Sequence, residues 1–408
     1  MANVMHLRSK MKLVLVPLSS ALLLTGCGPL FHDNTRDVQN AVDAGGYVSF
    51  PAGIYILKQT IVVRKSNTII QGVGPDTVFV FEPTLPQVHC VNDRAFTTPC
   101  DVLTTLRRRI LGPINIGDTF FVTEGDVSDL NEGDWIIIEE IDRKAGDVVV
   151  TDWAQIGSVF GNTVGVQAPF RTAFPDVHEW DPKFSGLGFY KIPQLIEGVV
   201  LRNLKIVVPD SGQDAPGISV FAALDTQISN VTVQDSHGQP LYSYLAKDLT
   251  IENSSGLGEQ VLNEFGATVD LKLHDNTFST DGSAGLGLDF GTGFFQVTRS
   301  VVPASQNIGL YLLYGVHDGS IQDNSISFVR ISGASSDSNS AVGLLARGTQ
   351  RVRITNNYLA GGAGPASLGI SIGPAYGLDA PMPSLGNTVS PNIFGPLWGV
   401  DYDPSNVP

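Results

Sequence analysis

The sequence predicts an all-β solenoid, and three observations carry that prediction. Seven short repeats run between Gly198 and Leu359, most plainly as Ile321-Gln322-Asp323-Asn324-Ser325-Ile326 and Ile354-Thr355-Asn356-Asn357-Tyr358-Leu359. Aligning their second polar position selects Asn203, Asn230, Asn253, Asn276, Ser300, Asn324 and Asn357, with steps of 27, 23, 23, 24, 24 and 33 residues. A period in the twenties with one small polar residue per repeat is the mark of stacked coils, whose apolar residues only neighbouring coils can cover. Asparagine suits both tasks of such a position: it tolerates a left-handed corner, and its amide can bond to the same residue one coil away. Finally, Gly 44 and Pro 24 stand beside 42% hydrophobic residues, which means many turns around a core rather than disorder.

The first 26 residues read as a removable leader. Arg8, Lys10 and Lys12 form a basic start, and the apolar run Leu13 to Leu24 has 12 residues, too few to span a bilayer. The run ends in Leu24-Thr25-Gly26-Cys27, which resembles the lipobox of bacterial lipoproteins. That resemblance implies cleavage before Cys27, lipidation of its thiol and, with Gly28 following, an outer-membrane or cell-surface location anchored by lipid alone. A plain secretory signal is the alternative. Removing the three leader cations from 25 leaves 22 basic against 40 acidic residues, a balance of −18. Such a surface repels nucleic acid and anionic membranes. It also disfavours a polyanionic ligand unless Ca²⁺ bridges the two; no other cofactor has a place in this reading. Exported thiols pair, so Cys90 and Cys100 are expected to form a disulfide closing a short loop, worth about 2–3 kcal/mol. Only His89 accompanies them, which argues against a metal site.

From 27 to 81 the chain builds a cap and the first coils. Asp33-Asn34-Thr35 offers N-cap oxygens, Val38, Ala41 and Val42 follow at helical spacing, and Gly45-Gly46 stops the helix. A short helix here would cover the open end of the solenoid. Strands Tyr47 to Phe50, Ile54 to Leu57, Ile61 to Val63 and Thr68 to Gln71 come next. The segments Asp37 to Val42, Val48-Ser49-Phe50-Pro51-Ala52-Gly53-Ile54-Tyr55 and Ile69-Ile70-Gln71-Gly72-Val73-Gly74 resemble the N-terminal signature of the pectate-lyase-like superfamily, related to glycoside hydrolase family 28. The resemblance implies a right-handed parallel β-helix. It leaves the activity open, since the superfamily holds lyases, hydrolases, epimerases and non-enzymes.

Residues 82–196 break the period and read as a small antiparallel β insertion, including the basic cluster Arg107-Arg108-Arg109 and a long aromatic-bearing loop from Phe170 to Tyr190. The main helix and its C-terminal cap occupy 197–408. Its strands often show Gly-apolar-x-apolar, as in Gly217-Ile218-Ser219-Val220 and Gly287-Leu288-Asp289-Phe290. Alternation points the residue between two apolar ones outward, and coils roughly 4.8 Å apart stack those residues in a column. Ser219, Tyr242 or Ser243, Glu264, Asp289, Tyr311, Arg347 and Ser371 are expected along it.

Glu264 and Asp289, on consecutive coils, form the first candidate site. Two carboxyls in contact split their proton affinities, giving one acid and one nucleophile or base for glycoside cleavage. A chain with 40 acidic residues also places carboxylates on any solvated face by chance. His237 and His317 sit at turns and are candidate general acids or bases. Ser236-His237-Gly238 is faintly similar to the Gly-His-Gly turn of family 28, but that family's Asn-Thr-Asp, paired Asp-Asp and Arg-Ile-Lys do not occur. Arg347, and less so Lys247, would stabilise an enolate if the reaction were elimination next to a uronate. Tyr242 and Tyr311 are candidate sugar-stacking residues. Nucleophile-elbow, phosphate-loop, dinucleotide and zinc patterns are absent. The function expected is cleavage of a polysaccharide, hydrolysis ahead of elimination because a −18 surface suits a neutral glycan. A glycan-binding or structural envelope lipoprotein is the alternative, since no catalytic motif of the superfamily is intact.

Overall fold

The computed structural model describes residues 32–83, 95–99, 105–181, 185–209, 217–235, 238–258, 262–280, 284–305, 308–328, 342–361, 368–375, 378 and 382–395. Cys27, Cys90, Cys100 and His237 lie outside these residues. The chain is almost wholly β, with one helix, Thr35–Ala44, among the described residues. Parallel strands wind into a right-handed β-helix, and an antiparallel barrel is inserted between its early coils.

Corners of one left-handed residue let each coil turn without a loop. Strand Lys272–His274 passes through Asp275 (φ 56°) and buried Asn276 into Thr277–Thr280. Arg299 (φ 48°), Asp323 (φ 58°) and Asn356 (φ 56°) repeat that corner. The strands on its two sides join as a 19-stranded sheet, and the third side of the helix is a nine-stranded parallel sheet. Leu286, Leu288, Leu310, Leu312, Leu344 and Ile370 of the nine-stranded sheet point inward and are completely buried.

Register corrects the alignment of the repeats. Ser229 pairs with Glu252 and Glu252 with His274, so Asn253 is equivalent to Asp275 and not to Asn276. Asn203, Asn230 and Asn253 are the left-handed corners. Ser254, Asn276, Ser300, Asn324 and Asn357 stand one residue later and form a buried ladder. Asn324 Oδ1 accepts Ser300 N–H (2.8 Å), and Asn357 Oδ1 accepts both Asn324 N–H and its Nδ2–H (3.0 Å each). Asn324 Nδ2 also donates to Val297 O at 2.9 Å. The two tasks of asparagine are thus divided between adjacent positions.

The N-terminal helix covers the end as expected, with Val38, Ala41 and Val42 buried in the core. Gln39 completes the seal by acting as a strand neighbour. Its Nε2 donates to Val62 O and its Oε1 accepts Val62 N–H, both at 2.9 Å. Sheet edges left open invite pairing with other chains, and this side chain closes one. Asn34 does not cap the helix through its side chain; its Oδ1 instead accepts Ile56 N–H at 2.9 Å.

Strands Arg108–Leu111, Phe120–Thr123, Trp135–Ile141, Val148–Phe160, Thr163–Val166 and Gly186–Lys191 close into a barrel with its own core. The segment read as one loop from Phe170 to Tyr190 therefore ends inside a barrel strand. Phe96–Thr97, within the range assigned to the insertion, is a strand of the helix, between Ile61–Val62 and Ile218–Ser219. Arg107 is buried against Glu139 at 3.1 Å, and Arg108 pairs with Asp129 at 2.7 Å, so the basic cluster holds the barrel together. Barrel residues Ile137, Trp153 and Tyr190 pack on Leu245, Ala267 and Phe290 at the helix corners.

Candidate functional site

The outer face of the nine-stranded sheet carries the expected column, with a different frame. Ser219 pairs with Tyr242, Tyr242 with Glu264, Glu264 with Gly287, Gly287 with Tyr311, Tyr311 with Leu345 and Leu345 with Ser371. Asp289 pairs with Gly266, two residues further along, and Arg347 pairs with Leu313 in that second row. A slip of two keeps a side chain on its face. Glu264 and Asp289 are therefore diagonal neighbours rather than stacked ones.

Two glycines bring them together. A Cβ on Gly266 would lie 3.0 Å from Asp289 Oδ1, and one on Gly287 would lie 2.6 Å from the Tyr311 hydroxyl oxygen. Without those methyl groups Asp289 leans back over the coil of Glu264, and the Tyr311 ring leans over the coil of Asp289. The two carboxyls stand close enough to alter each other's proton affinity. Gln239 Nε2 donates to Glu264 Oε2, and the Tyr311 hydroxyl approaches Asp289 Oδ2 at 3.5 Å. Tyr242 packs on Phe221 with ring centroids 5.6 Å apart.

Contact between two carboxyls requires a proton, because neither donates when ionised. Asp289 is 3% exposed, and its Oδ1 meets no donor among the described residues. Burial, then the charge and hydrogen bond of Glu264, push the Asp289 carboxyl well above the usual range. Burial raises Glu264 as well, opposed by its hydrogen bonds with Asp289 and Gln239. Asp147, on the barrel side, adds repulsion at Asp289. Burial and the neighbouring acids likewise raise the Tyr311 hydroxyl, so it stays protonated. The arrangement is an adjoining pair of carboxyls, both holding their protons more tightly than usual, with Glu264 the more exposed member.

The other sequence candidates are elsewhere. Arg347 is two coils from Asp289, about 10 Å by coil spacing, and its guanidinium donates to Ser371 Oγ at 3.0 Å. It is not brought to the carboxyl pair. Lys247 bonds Asp270. His317 is buried at a barrel-facing corner, with Nδ1 2.9 Å from Asp318 Oδ2. Among the described residues no three His, Cys, Asp or Glu side chains gather as a cation site, so Ca²⁺ would draw most of its roughly six to eight oxygens from other groups. Gln239, Gly266 and Asp147 escaped the sequence reading. Gly287, the glycine at an outward position of Gly285-Leu286-Gly287, was the one available signal, since a strand position with no outward side chain leaves room for its neighbours.

No protein-family model matches the sequence, and no curated protein is significantly similar to it. Solved structures do match in fold. The tailspike protein gp49 from Pseudomonas phage LKA1 is similar at 13% identity and TM-score 0.53, over 90% of this chain and 71% of that one. PfbA, a surface adhesin of Streptococcus pneumoniae, is similar at 13% identity and TM-score 0.52, over 92% and 79%. The A-module of the Azotobacter vinelandii mannuronan C-5 epimerase AlgE6 is similar at 12% identity and TM-score 0.50, over 92% and 87%. At such identities the likeness is one of fold: the chain is a right-handed parallel β-helix bearing an antiparallel barrel and a paired-carboxyl site on one outer face.

Proposed function

We propose that the chain is an exported, carbohydrate-active protein that hydrolyses glycosidic bonds of a polysaccharide at the Glu264–Asp289 pair. The observation that carries this reading is the adjoining pair of carboxyls on the outer face of the helix, Glu264 held by Gln239 and Asp289 beside the Tyr311 hydroxyl. Asp289, whose proton affinity burial and the neighbouring Glu264 raise, serves as acid; Glu264, the more exposed carboxylate, oriented by Gln239, serves as nucleophile. Carboxyls on diagonal neighbours of adjacent coils suit the roughly 5 Å spacing of retaining glycosidases better than the ~6.5–9.5 Å that leaves room for an attacking water. The products should keep the anomeric configuration of the substrate. Tyr242 and Tyr311 would hold the sugar ring. An acidic site on a chain of net charge −15 suits a neutral glycan better than a polyuronate. The leader and Cys27 motif support anchoring at the cell surface by lipid, and the shared fold with a mannuronan epimerase and a surface adhesin agrees with a glycan-facing role.

One observation favours a second reading. At 3% exposure Asp289 is almost wholly covered, which suits a structural clasp under a glycan-binding surface. A panel of neutral and uronic polysaccharides separates the two, read for reducing ends, unsaturated-uronate absorbance and product anomer. New reducing ends with retention, abolished in Glu264→Gln, support hydrolysis. Unsaturated products mean elimination. Binding without products leaves the clasp, and products undiminished in Glu264→Gln rule out the dyad.

A further inference from the structure

The barrel reaches the carboxyl pair through one tight turn. Strand Trp135–Ile141 passes into Val148–Phe160 through Asp142-Arg143-Lys144-Ala145-Gly146-Asp147. Asp142 is buried and shapes the turn: its Oδ1 accepts Lys144 N–H and Ala145 N–H, both at 2.9 Å. Gly146, at φ 71°, takes the left-handed step that brings its N–H to Asp142 O at 2.8 Å. Asp142 N–H closes on Asp147 O at 2.9 Å. These local bonds hold the turn in one shape.

Backbone contact presses the strand after the turn against the helix. A Cβ on Gly315 would collide with Val149 O, and one on Gly291 would lie 2.9 Å from Val150 Cα. Only glycine permits so close an approach of two chains. Ala145, in the turn itself, packs with Val149, Tyr314 and Ala375 in one apolar cluster. Gly291 stands two residues after Asp289, and Gly315 two after Leu313. The turn therefore rises along the edge of the outward face, beside the row that holds Asp289, Leu313 and Arg347.

Asp147 is the part of this turn that the fold leaves unsatisfied. It is half-buried, its oxygens keep accessible surface, and no hydrogen bond or cation among the described residues steadies its carboxylate. Arg143, on the same turn, is engaged by Glu179. The charge of Asp147 is felt at Asp289. A carboxylate so placed accepts hydrogen bonds from hydroxyl groups and repels a second carboxylate. We propose that Asp147 is a specificity-determining residue of the groove: it accepts a hydroxyl of the sugar ring held beside Asp289 and rejects a ring that carries a carboxylate there. A net charge of −15 disfavours polyanions over the whole surface, whereas Asp147 places the discrimination at one ring. This rests on the reading that a glycan lies over Glu264 and Asp289, and not on its cleavage.

Native gels cast with a polysaccharide, all at one ionic strength, give affinity from the retardation of the protein. The probes are soluble starch, a mixed-linkage β-glucan and a galactomannan, each neutral and again after oxidation of its primary hydroxyls to carboxylates. The wild type should prefer at least one neutral glycan to its oxidised form by about tenfold or more, the size of one like-charge contact near a protein surface. Asp147→Asn keeps the shape and an accepting oxygen. It should hold the neutral affinity and lower the preference to about threefold or less. Asp147→Ala should also lose about fivefold in affinity for the neutral glycan, the size of one hydrogen bond. Glu132→Gln removes an exposed acid at the far end of strand Trp135–Ile141 and should leave the preference unchanged. A wild type without the preference, or an undiminished preference in Asp147→Asn, overturns the proposal. An equal drop in Glu132→Gln overturns it too, by tracing the effect to net charge. A protein retained by none of the glycans overturns it together with the carbohydrate reading. A preference that depends on Asp147 in a protein that releases no reducing ends rejects hydrolysis alone and supports the role of Asp147.

Discussion

Asp289→Asn should make the protein more stable while removing its activity. In the wild type, the buried Oδ1 of Asp289 has no donor among the described residues, and the Asp289 carboxyl neighbours that of Glu264. The carboxyls start from ordinary values of 3.8 and 4.5, and both are raised in the fold, chiefly by burial. A raised carboxyl binds its proton more tightly when folded. Its stabilising contribution is complete below the unfolded pKa and is lost as pH rises through the folded one, at about 1.4 kcal/mol for each tenfold gain in proton affinity. Asparagine mimics the protonated acid at every pH, because its Nδ2–H donates permanently to Glu264. At pH 8 the variant should therefore be more stable by about 1–3 kcal/mol, the cost of a buried acceptor without a donor. At pH 4 the two proteins should agree within about 0.5 kcal/mol, since each then holds a donor between the side chains. Chemical unfolding followed by tryptophan fluorescence at both pH values measures the difference. Glu139, Glu140, Asp147 and Asp152 are raised as well, so the wild-type curve alone is not diagnostic and the comparison with the variant is. Glycan cleavage should fall at least about a hundredfold with the acid gone. A variant less stable at pH 8, or one differing from wild type equally at both pH values, would refute the raised proton affinity of the pair.

Other outcomes follow from single contacts. Gly287→Ala places a methyl group 2.6 Å from the Tyr311 hydroxyl oxygen and against its Cζ. Tyr311 should swing away at a stability cost of about 1–3 kcal/mol, with circular dichroism unchanged and sugar affinity or cleavage reduced; full activity would show that Tyr311 takes no part. Asn324→Ala strands Ser300 N–H and Val297 C=O in the core. It should cost about 2–4 kcal/mol by denaturant unfolding. Asn253→Gly, at an exposed left-handed corner with φ 49°, should stay within a few tenths of a kcal/mol. Equal losses at the two asparagines would contradict the division between corner and ladder.

The legible parts of this protein are those written in local pattern. The period near 24, the alternation in Gly309-Leu310-Tyr311-Leu312 and the helix from Thr35 are each set by neighbouring residues, and each is present in the structure. Glu264, Asp289, Tyr242 and Tyr311 were readable as outward residues for the same reason. Frame errors came from reading similar words as equivalent positions. Asn253 and Asn276 look alike in sequence but stand in corner and ladder. Asp289 and Tyr311 looked like one column and occupy two rows. A slip of two leaves the face unchanged, so the pairing survived the wrong frame. A slip of one turned corner into ladder and changed the role.

Sequence alone determined the class of fold, the outward positions of the candidate residues and the acidic balance of the chain, because periodicity and charge are properties of the chain. Tertiary structure alone decided which outward groups meet. Partners such as Gln239 and Glu264, or Gly287 and Tyr311, lie more than twenty residues apart, and their register depends on the length of every corner and loop between them. It also decided that the two carboxyls adjoin and that both hold their protons more tightly than usual. That property needs the bare backbone of Gly266, the charge of Asp147 and the loss of water around Asp289 together, and none of these is a property of residue 264 or 289 by itself.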